Sequence, residues 1–409
     1  MGKKNKDDVL FLCQYFYPEY ITSAKLPFDI AQYLAKRGHT VGALCGYPKE
    51  YTFQYDCPRS ETVKNVSISR VRYFHVKRNR FLGRILNIVS FTMFSMFHVF
   101  RVRNYKCVAV ISDPPILPIV STLAKKLFGT KVVFIAYDVF PEIAIATKSI
   151  KPKGCFSSMM RLINMKAYKN VDKVVALTDE MKDFIAESRP GVTADQITVI
   201  PNWATENLSR NPVPENYRIM DYNENQFVVS YFGNMGTCQD MDTLLEAAKR
   251  LKSNKKIQFL FAGHGNKILP TLKFIDENNL DNIELWEFLD GERFEAAISV
   301  SSACVVSLEK GLKGTCAPSK YYTYLNMGSA VISIGETDSY ISKEVVSEKI
   351  GFCVEVGDVD SLVKNLEYMS EHMEETNLMG SRAKRLSREK YDKKLSLSKY
   401  AEVIESVLE

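Results

Sequence analysis

The chain has 409 residues, 46% of them hydrophobic and 25% charged, with a formal net charge of +6. That length and balance fit a soluble protein of two globular domains and exclude a disordered, fibrous or repeat-built chain. The nine cysteines stand singly, with no CxxC pair, so they read as reduced and structural rather than as a disulfide framework.

The first residues, MGKKNKDD, are polar, and no cleavable signal follows them, so the cytosol is the expected compartment. A strand is expected at 8–14 (DVLFLCQ), then a helix through Leu34. Further strands fall at 40–45, 67–74, 108–112, 131–136, 173–177 and 197–201. Strands alternating with helices imply parallel sheets of β-α-β units. Residues 207–224 are polar and proline-containing and read as a linker. The alternation restarts at Phe227, with strands near Val228, Ile257, Ile283, Ala303, Ala330 and Phe352. Helices follow near Met241, Ile268, Glu292, Ser319, Ser339 and Val359, and the tail from Thr376 is helical and charged. The simplest architecture is α/β: two doubly wound, Rossmann-like domains, 1–206 and 207–391, facing one another across a cleft. Ligands of such sheets bind outside the carboxyl ends of the strands.

Charge is unevenly placed. From residue 63 to 112 there are ten Lys or Arg and no Asp or Glu, while the rest of the chain holds 44 basic against 48 acidic residues. This block encloses residues 85–100, of which eleven in sixteen are Ile, Leu, Val, Met or Phe. Such a run is short of the roughly 20 residues that span a bilayer. Basic flanks around an apolar, aromatic-rich helix suit the face of an anionic membrane, with Phe91, Phe94 and Phe97 as the expected contacts. A core helix with incidental flanking charges is the plain alternative. Nucleic acid is not an expected partner, because no binding motif accompanies the block.

Two glycine turns each end an apolar run: YFGNMG (231–236) and FAGHG (261–265). Both read as a buried parallel strand stopping at glycine before a helix. Glycine lets backbone approach a ligand, and a helix start offers unpaired N–H groups to an anion. Two such turns in consecutive units fit a crevice that grips a nucleotide diphosphate.

These turns stand in a longer succession: QYFYPE (14–19), SDPP (112–115), AYDVFPE (136–142), VIPNW (199–203), YFGNMG, FAGHG and APSKYYTYLNMG (317–328). In order and spacing, over nearly the whole chain, it resembles the family-four retaining glycosyltransferases of the GT-B fold. More narrowly it resembles the bacterial group that builds capsule, O-antigen or colanic-acid-type units. The resemblance implies a nucleotide-sugar donor and no metal or other cofactor; the leading expectation for that donor is a UDP-sugar. It also implies an acceptor saccharide carried on a lipid; with the basic block, the expectation is peripheral work at the inner face of the cytoplasmic membrane, reached through 77–106, with neighbouring biosynthetic enzymes as possible partners. The last helix, 392–409, is expected to return to the amino-terminal domain.

Carried over residue by residue, the resemblance places Gly233, Asn234, Met235 and Gly236 in the first donor loop and Gly263, His264 and Gly265 in the second. Phe288 and Leu289 fall where the family loop packs on the nucleobase. The family's phosphate-clamping Arg and Lys are missing from the first loop, which leaves Lys320 as the main cation, with Ser319 beside it. A lysine at a helix start is unfavourable on dipole grounds, so a local reason for it is expected. The family's paired glutamates are replaced by Thr315 and Thr323; a hydroxyl at Thr323 still hydrogen-bonds a ribose, more weakly than a carboxylate does. Asp138 and Glu142 are the candidates for acceptor orientation or general-base work, or else a helix cap and its support. Tyr15, Glu19 and Thr22 are expected on the acceptor side, and Asn202 at the start of the interdomain segment. The missing glutamates also motivate another reading, a non-catalytic glycosyltransferase-like subunit or scaffold at the membrane.

Overall fold

A computed structural model describes residues 6–48, 52, 56–76, 81–204 and 226–409, and the side chain of Phe81 is outside that description. The expected linker, 207–224, and Lys77, Arg78 and Arg80 of the basic block lie outside the described residues. The chain divides into two units: unit 1 takes residues up to 205 with 314–317 and 393–409, and unit 2 takes 206–313 and 318–392.

Unit 1 is built on the strands β1 (Asp7–Leu12), β2 (Val41–Gly46), β3 (Ser60–Val63), β4 (Val66–Val71), β5 (Tyr105–Ile111), β6 (Lys131–Ala136), β7 (Lys173–Ala176) and β8 (Ile197–Val199). They form one sheet in the order β3-β4-β2-β1-β5-β6-β7-β8. Every pairing is parallel except β3 with β4. That hairpin was not legible in the sequence. Its turn is Lys64-Asn65, with φ of 49° and 65°, a left-handed pair usually announced by Asn-Gly or Asp-Gly. Strand order reverses between β1 and β5, and β1, β5 and β6 end side by side.

The helices of unit 1 are α1 (Thr22–Lys36), α2 (Phe81–Phe97), α3 (Val99–Val102), α4 (Pro118–Phe128), α5 (Glu142–Ala146), α6 (Cys155–Tyr168) and α7 (Asp179–Ser188). Helices α2, α3, α4 and α6 pack against one another in series. The last helix of the chain, α15 (Lys393–Glu405), packs on α1. Lys393 pairs with Asp29 at 2.7 Å and Arg37 with Glu405 at 2.8 Å. The Trp203 and Tyr400 rings meet edge to face at 6.0 Å.

Unit 2 carries β9 (Phe227–Asn234), β10 (Ile257–His264), β11 (Ile283–Trp286), β12 (Ala303–Ser307), β13 (Ala330–Ile334) and β14 (Gly351–Val354), all parallel, in the order β11-β10-β9-β12-β13-β14. Successive residues of β9 enter different cores: Phe227, Val229 and Tyr231 one, Val228 and Phe232 the other. A strand's alternation thus buries both faces of the sheet. The helices are α8 (Asp242–Arg250), α9 (Ile268–Asn278), α10 (Gly291–Ser299), α11 (Lys320–Met327), α12 (Tyr340–Ser347), α13 (Val359–Glu371) and α14 (Met373–Lys390).

Among the described residues no helix is long and apolar enough to cross a membrane. The expected membrane contacts need correction. Phe91 is 0% exposed and belongs to the core, and Phe94 is only partly exposed, against Phe74. Phe97 is exposed. Arg70, counted in the basic block, is buried, paired with Glu61 and donating to the carbonyls of Pro58 and Tyr17.

Candidate functional site

In unit 2 the register of β9 and β10 sets Gly233 beside Gly263 and Asn234 beside His264. A Cβ on Gly263 would lie 1.8 Å from the Gly233 carbonyl oxygen, and one on Gly265 2.3 Å from that of Met235. These glycines therefore let the two turns touch each other, a nearer use than the ligand approach expected from sequence. The Met235 N–H donates to the His264 carbonyl at 2.7 Å, and the Lys267 N–H donates to the Met235 carbonyl at 2.9 Å. Met235, expected to face the donor, is corrected to a core residue: its side chain is buried and both its main-chain groups are spent. Leu289 is likewise buried in the core. The Gly236 N–H is taken by Gln239 Oε1 at 3.0 Å.

The helix starts near these turns are not equivalent. Asp240, buried, accepts from the N–H groups of Asp242 at 3.2 Å and Thr243 at 3.3 Å. The start of α8 is therefore capped by an acid, and it is closed to an anion. Helices α9 and α11 start without a side-chain cap and with no acid in the first turn. The Ile268 N–H donates to the Gly265 carbonyl and the Tyr321 N–H to the Pro318 carbonyl, and both helices keep a positive dipole end that no acid in the first turn offsets.

Lys320 opens α11. Its Nζ donates to Tyr231 Oη, lies 3.7 Å from the Tyr231 ring centroid and 3.4 Å from the Asn234 carbonyl oxygen. Tyr231 Oη in turn donates to the Asn234 carbonyl at 2.8 Å. Burial pulls the Lys320 ammonium down from its ordinary value to about 7, since a charge taken out of water with no carboxylate beside it is costly. His264 is also held below its ordinary value, by burial first and then by the Lys320 charge, and its ring lies 5.5 Å from that of Phe288. Gly233, Asn234, His264, Phe288, Ser319 and Lys320 are thus gathered in one place. Thr323 lies about one turn along α11 and is partly exposed. A lysine that loses its charge near neutrality, at the uncapped start of α11, suits an anion that brings the charge back.

Three contributors escaped the sequence reading. Tyr231 forms the floor under Lys320, two residues before Gly233 and therefore on the same face of β9; that spacing was the available signal. Tyr324 Oη accepts from the Phe232 N–H at 2.9 Å and so ties α11 to the strand that ends in the first turn. Lys267, paired with Glu309 at 2.7 Å, also donates to the Gln239 carbonyl and braces the second turn. Nothing local in the sequence marks either of these last two contacts.

In unit 1 the acids collect where β1, β5 and β6 end. Ser112 Oγ accepts from the N–H groups of Tyr137 at 3.0 Å and Asp138 at 3.1 Å, holding the ends of β5 and β6 together. The Asp138 carboxyl is pushed up to about 7, by burial first and then by the charge of Asp113. Asp138 does not cap the next helix, because α5 starts at Glu142 behind Pro141. The Val139 N–H donates to the Thr315 carbonyl at 2.8 Å, which seats segment 314–317 in this unit. Thr315, one of the two replaced glutamate positions, is buried here.

Glu142 requires a correction. Its carboxylate is paired with Arg189, a buried arginine that also donates to the Phe140 carbonyl at 2.9 Å. A carboxylate locked to a guanidinium braces the loop, and Glu142 is engaged there rather than turned to an acceptor. Tyr15 and Glu19 are buried, whereas Thr22, at the start of α1, is partly exposed. Asn202 is buried beside Trp203, whose Nε1 donates to Asp29 at 3.2 Å. Among the described residues no cluster of three or more His, Cys, Asp or Glu could hold a metal ion.

Comparison with known proteins bears on both units. Residues 28–203 match the model of the Glycosyl transferase 4-like domain, and residues 226–372 that of the Glycosyl transferases group 1. The chain is similar to the probable glycosyltransferase WbjE of Pseudomonas aeruginosa, 24% identical over 81% of this chain and 82% of that one. It is also similar to the putative colanic acid biosynthesis glycosyl transferase WcaI of Escherichia coli K12, 23% identical over 86% of this chain and 89% of that one. Among solved structures, Anabaena HepE in complex with UDP-glucose superposes with a TM-score of 0.70 at 14% identity, over 98% of this chain and 100% of that one.

Proposed function

From the premise that this chain is a GT-B glycosyltransferase, made of a glycosyl transferase 4-like domain followed by a group 1 domain, we propose that it moves a sugar from a UDP-sugar to a lipid-linked saccharide with retention of anomeric configuration. The product belongs to surface polysaccharide biosynthesis, and the work is done peripherally at the inner face of the cytoplasmic membrane. One observation carries the donor side: Lys320, the Asn234 carbonyl, His264 and the uncapped start of α11 meet at Gly233. The likeness to HepE, whose structure holds UDP-glucose, and to WcaI, named for colanic acid biosynthesis, supports the same reading.

In this reading the bond between the anomeric carbon and the diphosphate oxygen breaks, and the electron pair leaves with the diphosphate. The positive dipole end of α11 and the Lys320 ammonium meet that growing charge, so no metal ion is required. Asp138, with its carboxyl near 7, takes the proton of the attacking acceptor hydroxyl, alone or shared with the departing phosphate on the same face of the sugar. Glu142, held by Arg189, keeps the Asp138 loop in place. The test is the product's anomeric configuration, read by proton NMR during turnover of a UDP-α-sugar with a lipid-linked saccharide. An α-linked product is expected, and a β-linked one overturns the mechanism.

A further inference from the structure

We infer that unit 1 rests on an anionic bilayer through a face built by α2, α3, α4 and α6 together. The inference relies on the peripheral attachment proposed above, and it enlarges the contact well beyond residues 77–106.

Helix α2 is inside out. Its inward residues include Asn87, Ser90, Thr92 and Ser95, all buried. Asn87 exchanges two hydrogen bonds of 2.9 Å with the Val76 backbone, and Ser90 accepts from the Phe74 N–H at 3.1 Å. Its outward line is apolar: Leu82 is 72% exposed, Met93 52% and Phe97 72%. Leu86 and Phe100, in the next helix, continue the same line, at intervals of three, four and seven residues that keep one helical face. A helix that buries Asn87, Ser90 and Ser95 while it shows Leu82, Leu86, Met93 and Phe97 to water is explained by a surface that is not water.

The line does not stop at α3. The Phe100 ring meets Phe128, at the end of α4, at 5.8 Å, and Leu127 beside it is exposed. Helix α4 packs on α6. On α6 the exposed residues Cys155, Met159, Leu162 and Lys166 share another helical line.

Charge follows the same boundary. Helices α2, α3, α4 and α6 contain no Asp or Glu at all. Arg84, Arg101, Lys126, Lys151, Lys153 and Arg161 are exposed on these helices and the loops between them. Among the described residues none of these six makes an ion pair. The sign reverses at α7, which has Asp179, Glu180, Asp183 and Glu187. Unopposed cations around exposed large apolar side chains complement anionic lipid headgroups over acyl chains, and this commits the face to a membrane rather than to a second copy of the chain or to RNA.

The test uses the full chain with vesicles of phosphatidylcholine alone and of equal parts phosphatidylglycerol and phosphatidylcholine. Co-sedimentation with the anionic vesicles only is expected. Leu86→Ser with Phe97→Ser is expected to reduce it about tenfold or more, and Arg161→Glu with Leu162→Ser, on α6, by a similar factor. The second readout alters nothing in the fold. Cys155 is the one exposed cysteine among the described residues, so a polarity-sensitive fluorophore placed there should shift to the blue on anionic vesicles. Wild-type sedimentation by the α6 variant, with no fluorescence shift, overturns the four-helix face and leaves attachment through α2 standing. A wild-type chain that ignores anionic vesicles overturns both. Loss of binding with dimers in sedimentation velocity assigns the face to a second copy and overturns the inference.

Discussion

Lys320 and Asp138 each hold a protonation equilibrium near neutrality, and each yields a measurable consequence. Lys320 is pulled down to about 7 by burial, so in the free protein it is cationic below that pH and neutral above it. A bound diphosphate keeps it cationic, so above pH 7 binding must take up a proton. The affinity for UDP-glucose is therefore expected to fall with pH, by as much as about tenfold per unit, from pH 7 upward. Lys320→Met should lose about 10- to 100-fold in affinity at pH 6.5, roughly 1.4–2.8 kcal/mol, and should flatten the pH dependence. Calorimetric titration across pH measures both, and a variant that keeps the wild-type slope removes Lys320 from the phosphate site. For Asp138 the sign runs the other way. Its folded pKa is raised to about 7 from 3.8, so its contribution to stability is full below 3.8 and is lost as pH rises to 7. Asp138→Asn should therefore gain in melting temperature relative to wild type between pH 4 and pH 7, while kcat falls about 10²- to 10⁴-fold. A brace would show both losses together. Melting curves and initial rates of the same samples decide the point.

At the scale of elements, periodicity was a good guide wherever a strand is buried on both faces. All six strands of unit 2 fall where apolar runs placed them, as do β1, β2 and β4 to β8. The β3–β4 hairpin was hidden because its left-handed turn is built from Lys64 and Asn65 without glycine. Helix α2 was legible as a helix, but composition could not say which residues turn inward. Asn87 and Ser90 answer that question, because they find partners in the extended segment at 74–76, a contact between residues 11 and 16 positions apart. The donor turns show the same limit. Their glycines were visible, but their use, packing one turn on the other, depends on the β9–β10 register. The acid capping α8 also stood in plain sight at Asp240. It changes which helix start can hold an anion, and it shifts the weight of the candidate site to α11.

For the whole molecule, chain order and folding unit diverge. Unit 1 begins at the amino terminus and is completed only by the last helix of the chain. Leu397, Tyr400, Ala401 and Ile404 of α15 are buried in its core with the strands β1, β5 and β6, and Lys393, Arg37 and Glu405 fix the helix to α1. Deleting a single buried Leu or Ile side chain costs about 2–5 kcal/mol, against a total stability of about 5–15 kcal/mol for a domain. Removing several at once exceeds what the rest of unit 1 can supply. A chain truncated after residue 392 is therefore expected to lose the amino-terminal fold, while unit 2, whose two cores contain no residue of α15, keeps its own. Limited proteolysis followed by mass spectrometry should then find residues 6–204 cut throughout and a protected fragment within 226–392. Adding 393–409 as a separate peptide should restore protection to the first part, because the missing surface is one amphipathic helix with its own charged anchors. Equal protection of both units in the truncated chain would mean that the last helix only decorates a core already complete, contrary to the burial of Tyr400 and Ile404.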